Sequence, residues 1–186
     1  MKLMLIPLTK VEDNVLKDVV KHLEKCLSFN VTVWTERPGI PLTMFDFSRG
    51  QYRSDEVIAW VYRNFMIKGI DYIAALADVD AYVPGLNFVF GEASPHSRTC
   101  IVYLKRLRPE FYGEHDNVKF KERVVKEVLH EVGHILGLEH CSNERCVMRF
   151  SNSIFEVDFK SYRFCRLCGE KLSHRGLIVS SECVLR

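Results

Sequence analysis

Apolar residues along the chain fall into short continuous runs separated by stretches in which they recur every three or four positions. Lys2 to Leu8 is apolar except for its lysine and reads as a buried strand. From Val11 to Leu27 the residues Val15, Val19, Leu23 and Leu27 form a helical stripe. Val31 to Trp34 reads as a second strand, broken afterwards by Pro38-Gly39 and Pro41. A loop through Phe47 to Arg53 leads to a helix near Asp55 to Lys68, with Ser54 as its N-cap. Tyr72 to Leu76 is a third strand. Asn87 to Phe90 and Thr99 to Leu104 form a further strand pair around a turn rich in Gly, Ser and Pro. The longest helical pattern runs from Val118 to Leu136. Its stripe is Val125, Leu129, Val132 and Leu136, and Asn117 is the expected N-cap. Strands alternating with helices, followed by a strand pair, predict an α/β (α+β) fold with a mixed twisted sheet covered by helices.

Length and composition narrow this little further. The 186 residues suit one domain, 1–186, with a sheet and long helix in 1–137 and a smaller C-terminal part in 138–186. With 47% hydrophobic and 27% charged residues the chain reads as an ordinary globular protein. A net charge of +2 gives no ground for nucleic-acid binding. No apolar run approaches the roughly 20 residues of a membrane span. Met1 to Leu8 lacks a following cleavage pattern and reads as the first strand, so a cytoplasmic protein is the expectation; a monomer is expected as well. There is no internal repeat, low-complexity tract or linker.

Chemistry enters at residues 130 to 148, H-E-V-G-H-I-L-G-L-E-H-C-S-N-E-R-C-V-M. His130 and His134 are four apart, which on a helix puts both imidazoles on one face, a turn apart. They project from the side opposite the apolar stripe. Glu131 stands beside them, where a carboxylate can accept a proton from an attacking water. Gly137 can end the helix in a left-handed turn and swing His140 back as a third nitrogen ligand. Three histidines leave one position of a tetrahedral zinc open, as a catalytic site requires. The string therefore points to zinc-dependent hydrolysis. Arg123 and Glu127 lie on the ligand side at i,i+4 spacing and read as a solvated salt bridge.

Cys141 and Cys146, with Cys165 and Cys168, make two close pairs joined by a longer spacer, as a closed four-cysteine zinc needs. Seven cysteines and no secretory signal argue against a disulfide framework, and no βαβ setting supports a redox pair. Cys26, Cys100 and Cys183 read as reduced thiols. Because Cys141 follows His140 directly, a structural zinc would brace the loop that carries the third histidine. Two zinc ions per chain are the expectation.

The combined pattern resembles the metzincin zinc peptidases, and specifically the archaemetzincins. The resemblance rests on H-E-V-G-H-I-L-G-L-E-H-C, Cys146-Val147-Met148 and Cys165-x-x-Cys168. It implies a metallopeptidase acting on peptides or proteins. Glu131 would be the general base and Met148 the apolar floor of a methionine turn. An edge strand drawn from Asn87 to Phe90 or its partner would hold extended substrate. Some metzincins carry a tyrosine two residues after the methionine. This chain has Phe150 there, so no phenol is available at that position. Two other classes stay open at the level of sequence. One is a catalytically silent, zinc-stabilised binding protein. The other is a nucleic-acid contact through Lys160, Arg163, Arg166, Lys171 and Arg175, whose ordinary reading is a solvated surface.

Overall fold

The computed structural model describes all residues, Met1 to Arg186. In chain order the elements are β1 (Lys2–Pro7), α1 (Asp13–Leu27), β2 (Asn30–Val33), β3 (Phe45–Asp46), β4 (Gln51–Arg53) and α2 (Ser54–Phe65). Then come β5 (Tyr72–Ala77), β6 (Ala81–Tyr82), β7 (Gly91–Ser94), β8 (Thr99–Tyr103), α3 (Asn117–Ile135), α4 (Ile154–Phe159) and α5 (Arg166–His174). The main sheet has the order β2-β1-β5-β8-β7. All its neighbours are parallel except β7, which runs antiparallel to β8 along the edge. The mixed α/β architecture is the one the hydrophobic pattern predicts.

Alternation along the central strands builds two cores. Leu3, Leu5, Ala74, Leu76, Cys100 and Val102 face α1 and α3, while Met4, Ile6, Ile73, Ala75, Ile101 and Tyr103 face α2. Strands buried on both faces read as continuous apolar runs, which is why β1 and β5 were legible. No helix is long and apolar enough to cross a membrane.

Several local expectations need correction. Residues 87 to 90 form no strand, and the edge strand is Gly91–Ser94. The apolar side chains of that loop pack instead, with Phe88 edge-to-face on Phe90 at 5.1 Å and under the Arg106 guanidinium. Its backbone is tied by Arg49 and Gln51, which each donate to the Asn87 carbonyl at 3.0 Å. Phe47 to Arg53, expected as loop, instead supplies the turn and second strand of the β3–β4 hairpin, which pairs with β6 in a small second sheet. Ser54 is the first residue of α2 rather than its cap. It is buried and its Oγ accepts from the Tyr103 hydroxyl at 2.9 Å. The cap of α3 is Asp116 rather than Asn117, its carboxylate accepting from the backbone N–H of Val118 and Lys119.

Cys26 and Cys183, read as free thiols, form a disulfide between α1 and the C-terminal tail, with Cα atoms 5.4 Å apart. The tail is held beside it by backbone bonds between Phe164 and both Cys183 and Leu185. A pairing across 157 residues leaves no spacing signal in the sequence.

Candidate metal centre and cleft

The long helix α3 ends in a Schellman turn. The Leu138 N–H donates to the Gly133 carbonyl at 2.9 Å and the Gly137 N–H to the His134 carbonyl at 2.8 Å. Gly137 sits at φ +88°, the left-handed conformation the turn requires. The Arg175 guanidinium lies directly over it and donates to the Leu136 carbonyl at 3.2 Å. The turn brings His140 back over the helix, as the spacing predicted. The donor atoms of His130, His134 and His140 all lie within 4.8 Å of one another, and the Nε2 atoms of the first two are 3.1 Å apart.

Two of these rings are oriented from behind. His130 Nδ1 is 2.8 Å from the Val147 carbonyl and His134 Nδ1 is 2.8 Å from the Leu138 carbonyl. A carbonyl only accepts, so each Nδ1 carries the proton and each Nε2 presents its lone pair. Burial pushes His130 well below its ordinary range and lowers His134 and His140 as well. Three neutral imidazoles converging on one point fit a zinc ion.

Glu131 is buried on the same helix, and burial followed by the charge of Glu127 drives its carboxyl well above the usual range. The Cys146–Met148 turn is stitched to the histidine segments: the Val147 carbonyl bonds His130, and the Met148 carbonyl accepts from the Cys141 N–H at 2.9 Å. The fully buried Met148 thioether lies against Gly133, in the space a side chain there would fill. A glycine inside a helix costs about 1 kcal/mol relative to alanine, and this contact accounts for it.

The site opens on a cleft of about 670 Å³. One wall is the 83–90 loop with edge strand β7, the floor is α3, and the far wall is Phe150 to Asn152. The Phe150 ring packs against His140 with centroids 4.9 Å apart. The apolar lining from Phe88, Phe90 and Phe150 suits side chains of a bound peptide.

The charged face of α3 is not the solvated surface expected of it. Arg123 and Glu127 are both buried, and they pair elsewhere rather than with each other. Arg123 forms a bidentate bond to Asp158 at 2.6 Å and donates to the Leu107 carbonyl. Glu127 meets Lys160 at 2.8 Å, with the lysine side chain wholly buried. Lys160 is therefore no part of a basic surface, whereas Arg166, Lys171 and Arg175 are exposed. The reason is that α4 covers this face of α3, and a helix read alone does not reveal what will cover it.

The sulfurs of Cys141, Cys146, Cys165 and Cys168 also lie within 4.8 Å of one another, and none is in a disulfide. Cys146 Sγ accepts from the Cys165 N–H at 3.2 Å, and Cys141 Sγ accepts from the Asn143 N–H at 3.4 Å. Hydrogen bonding from Cys168, against the effect of burial, brings Cys146 down to about 5, while Cys168 and Cys165 are pushed up. A compact sulfur cluster with N–H groups aimed at it fits a closed zinc site.

Similarity to known proteins covers nearly the whole chain. The pattern characteristic of peptidase family M54 matches residues 48–174. The archaemetzincin of Methanocaldococcus jannaschii is 40% identical over 97% of both chains, and that of Saccharolobus solfataricus is 38% identical over 92% of this chain and 93% of the relative. Among solved structures, the archaemetzincin of Methanopyrus kandleri superposes with a TM-score of 0.82 at 36% identity over 94% of each chain. That of Archaeoglobus fulgidus, complexed with malonate, gives 0.78 at 37% identity over 92% of this chain and 99% of the other.

Proposed function

The chain belongs to peptidase family M54, the archaemetzincins, and is a zinc metallopeptidase acting on peptide or protein substrates; from that premise we propose which residues do the work and how. His130, His134 and His140 hold the catalytic zinc. When bound, zinc turns a water into a nucleophile at neutral pH and polarises the scissile carbonyl. Glu131 is the general base: its carboxylate takes the proton of the attacking water and hands it to the leaving amine. The Val147 and Leu138 carbonyls hold the imidazoles of His130 and His134 in the ligating tautomer. Edge strand β7 pairs with the extended substrate, and the aromatic lining shelters its side chains.

Cys141, Cys146, Cys165 and Cys168 hold a second, structural zinc, giving two per chain. Residues 1–186 act as one metallopeptidase domain. Its 1–137 part supplies the sheet and the ligand helix, and its 138–186 part supplies the third histidine, Met148 and the sulfur site.

The single observation that carries the reading is the convergence of three imidazoles, two of them oriented by backbone carbonyls, beside a buried glutamate at the floor of an open cleft. The test is cleavage of a diverse peptide library by the zinc-loaded protein, with a hydroxamate as inhibitor. Hydroxamate-sensitive cleavage supports the reading. An inactive protein with zinc at both sites would count against it and favour a silent binding protein on the same fold.

A further inference from the structure

The ammonium of Lys160 is the least expected group in the molecule. Its side chain has no exposure, and it stands 2.8 Å from Glu127 Oε1, whose side chain is itself almost fully buried. The same Nζ donates to the Arg149 carbonyl at 3.2 Å. Glu127 lies one helical turn before Glu131 and lines the cleft floor. Arg149 immediately precedes Phe150, which begins the far wall and packs on His140. One buried cation thus joins the floor helix to the wall that leans on the third histidine.

A pair of this kind is a poor source of stability, because desolvating two charges offsets most of their attraction. Apolar residues of similar volume would do as well or better. What the ion pair adds is stiffness. Any movement of residues 149–152 off the floor breaks the bond from the Lys160 ammonium to the Arg149 carbonyl and leaves that buried ammonium, held in place by Glu127, one acceptor short, whereas an apolar contact would slide at little cost. We propose that Lys160, anchored on Glu127, is a positioning residue of the peptidase reaction, fixing the Arg149–Asn152 wall and, through Phe150, the ring of His140. This inference rests on the zinc-peptidase reading of the cleft.

The test compares wild type with Lys160→Met and with the double variant Lys160→Met/Glu127→Leu. Three readouts are used: thermal melting, the visible spectrum and affinity of cobalt(II) at the three-histidine site, and kcat with KM on a cleaved peptide. Lys160→Met alone strands Glu127 and should melt lower. The double variant should melt close to wild type. Even so, its cobalt affinity or kcat/KM should stay down by about 10- to 100-fold, the usual penalty for losing support behind a metal site. Its cobalt band should also shift, a change that restored folding alone would not produce. A double variant with wild-type melting, cobalt spectrum, cobalt affinity and kcat/KM would overturn the proposal and leave the pair as a fold staple. A wild type that takes up no cobalt at the histidines would instead overturn the zinc-site reading, so the two failures are distinguishable.

Discussion

Gly91, in the edge strand, faces Glu131 of the ligand helix so closely that a Cβ at position 91 would lie 2.6 Å from both Cγ and Oε1 of the glutamate. The strand that borders the cleft and the group proposed to move protons are therefore in direct register, with no room for a side chain between them. Gly91→Ala must displace either the carboxylate or the strand. Turnover should fall by roughly 100-fold, the scale of a 1 Å misplacement at a reacting centre, while zinc content stays at the wild-type level. Kinetics paired with metal analysis checks this; full turnover in the alanine variant would mean that Glu131 has slack.

The disulfide makes a prediction in plain stoichiometry. The chain has seven cysteines and five are free. Denatured protein with chelator and no reductant should therefore titrate five thiols, and seven after reduction. Cys183→Ser should lower stability by about 2–5 kcal/mol, toward the upper end because the link closes a very long loop. Chemical denaturation of oxidised and reduced protein reads the difference.

Much of this architecture was legible because it is periodic. The stripe through Val125, Leu129 and Val132 announced α3, and the H-E-x-x-H-x-x-G-x-x-H spacing placed three histidines that the structure does gather. Legibility failed where partners come from far along the chain. Arg123, Glu127 and Lys160 look like surface charges until α4 covers them. Cys26 gives no sign of Cys183. The run Asn87 to Phe90 has strand composition, but its Asn87 carbonyl is claimed by Arg49 and Gln51, its Val89 N–H turns to the Ala81 carbonyl, and strand register begins only at Gly91. Gly91 itself carried no signal, since its need for bareness arises only when Glu131 is set against it.

The two metal clusters should respond differently to loss of a ligand. Cys165 is buried in the cluster that ties the chain near His140 to the start of α5, so metal binding there is folding free energy. The histidine site stands on a helix the scaffold already holds. Cys165→Ser should melt well below His134→Ala at matched zinc. Mild chelation should strip the histidine-bound ion first, because that site keeps an open position. Equal melting shifts, or a larger one for the histidine variant, would contradict this division of roles.

The most direct measurement is turnover and zinc content of Glu131→Ala on a peptide that the wild-type protein cleaves. Glu131 is not among the clustered ligand atoms, so the variant should keep wild-type zinc and melting. Its kcat should fall by about 10²- to 10⁴-fold, the usual worth of positioned acid–base help. Full turnover with zinc retained would contradict the account.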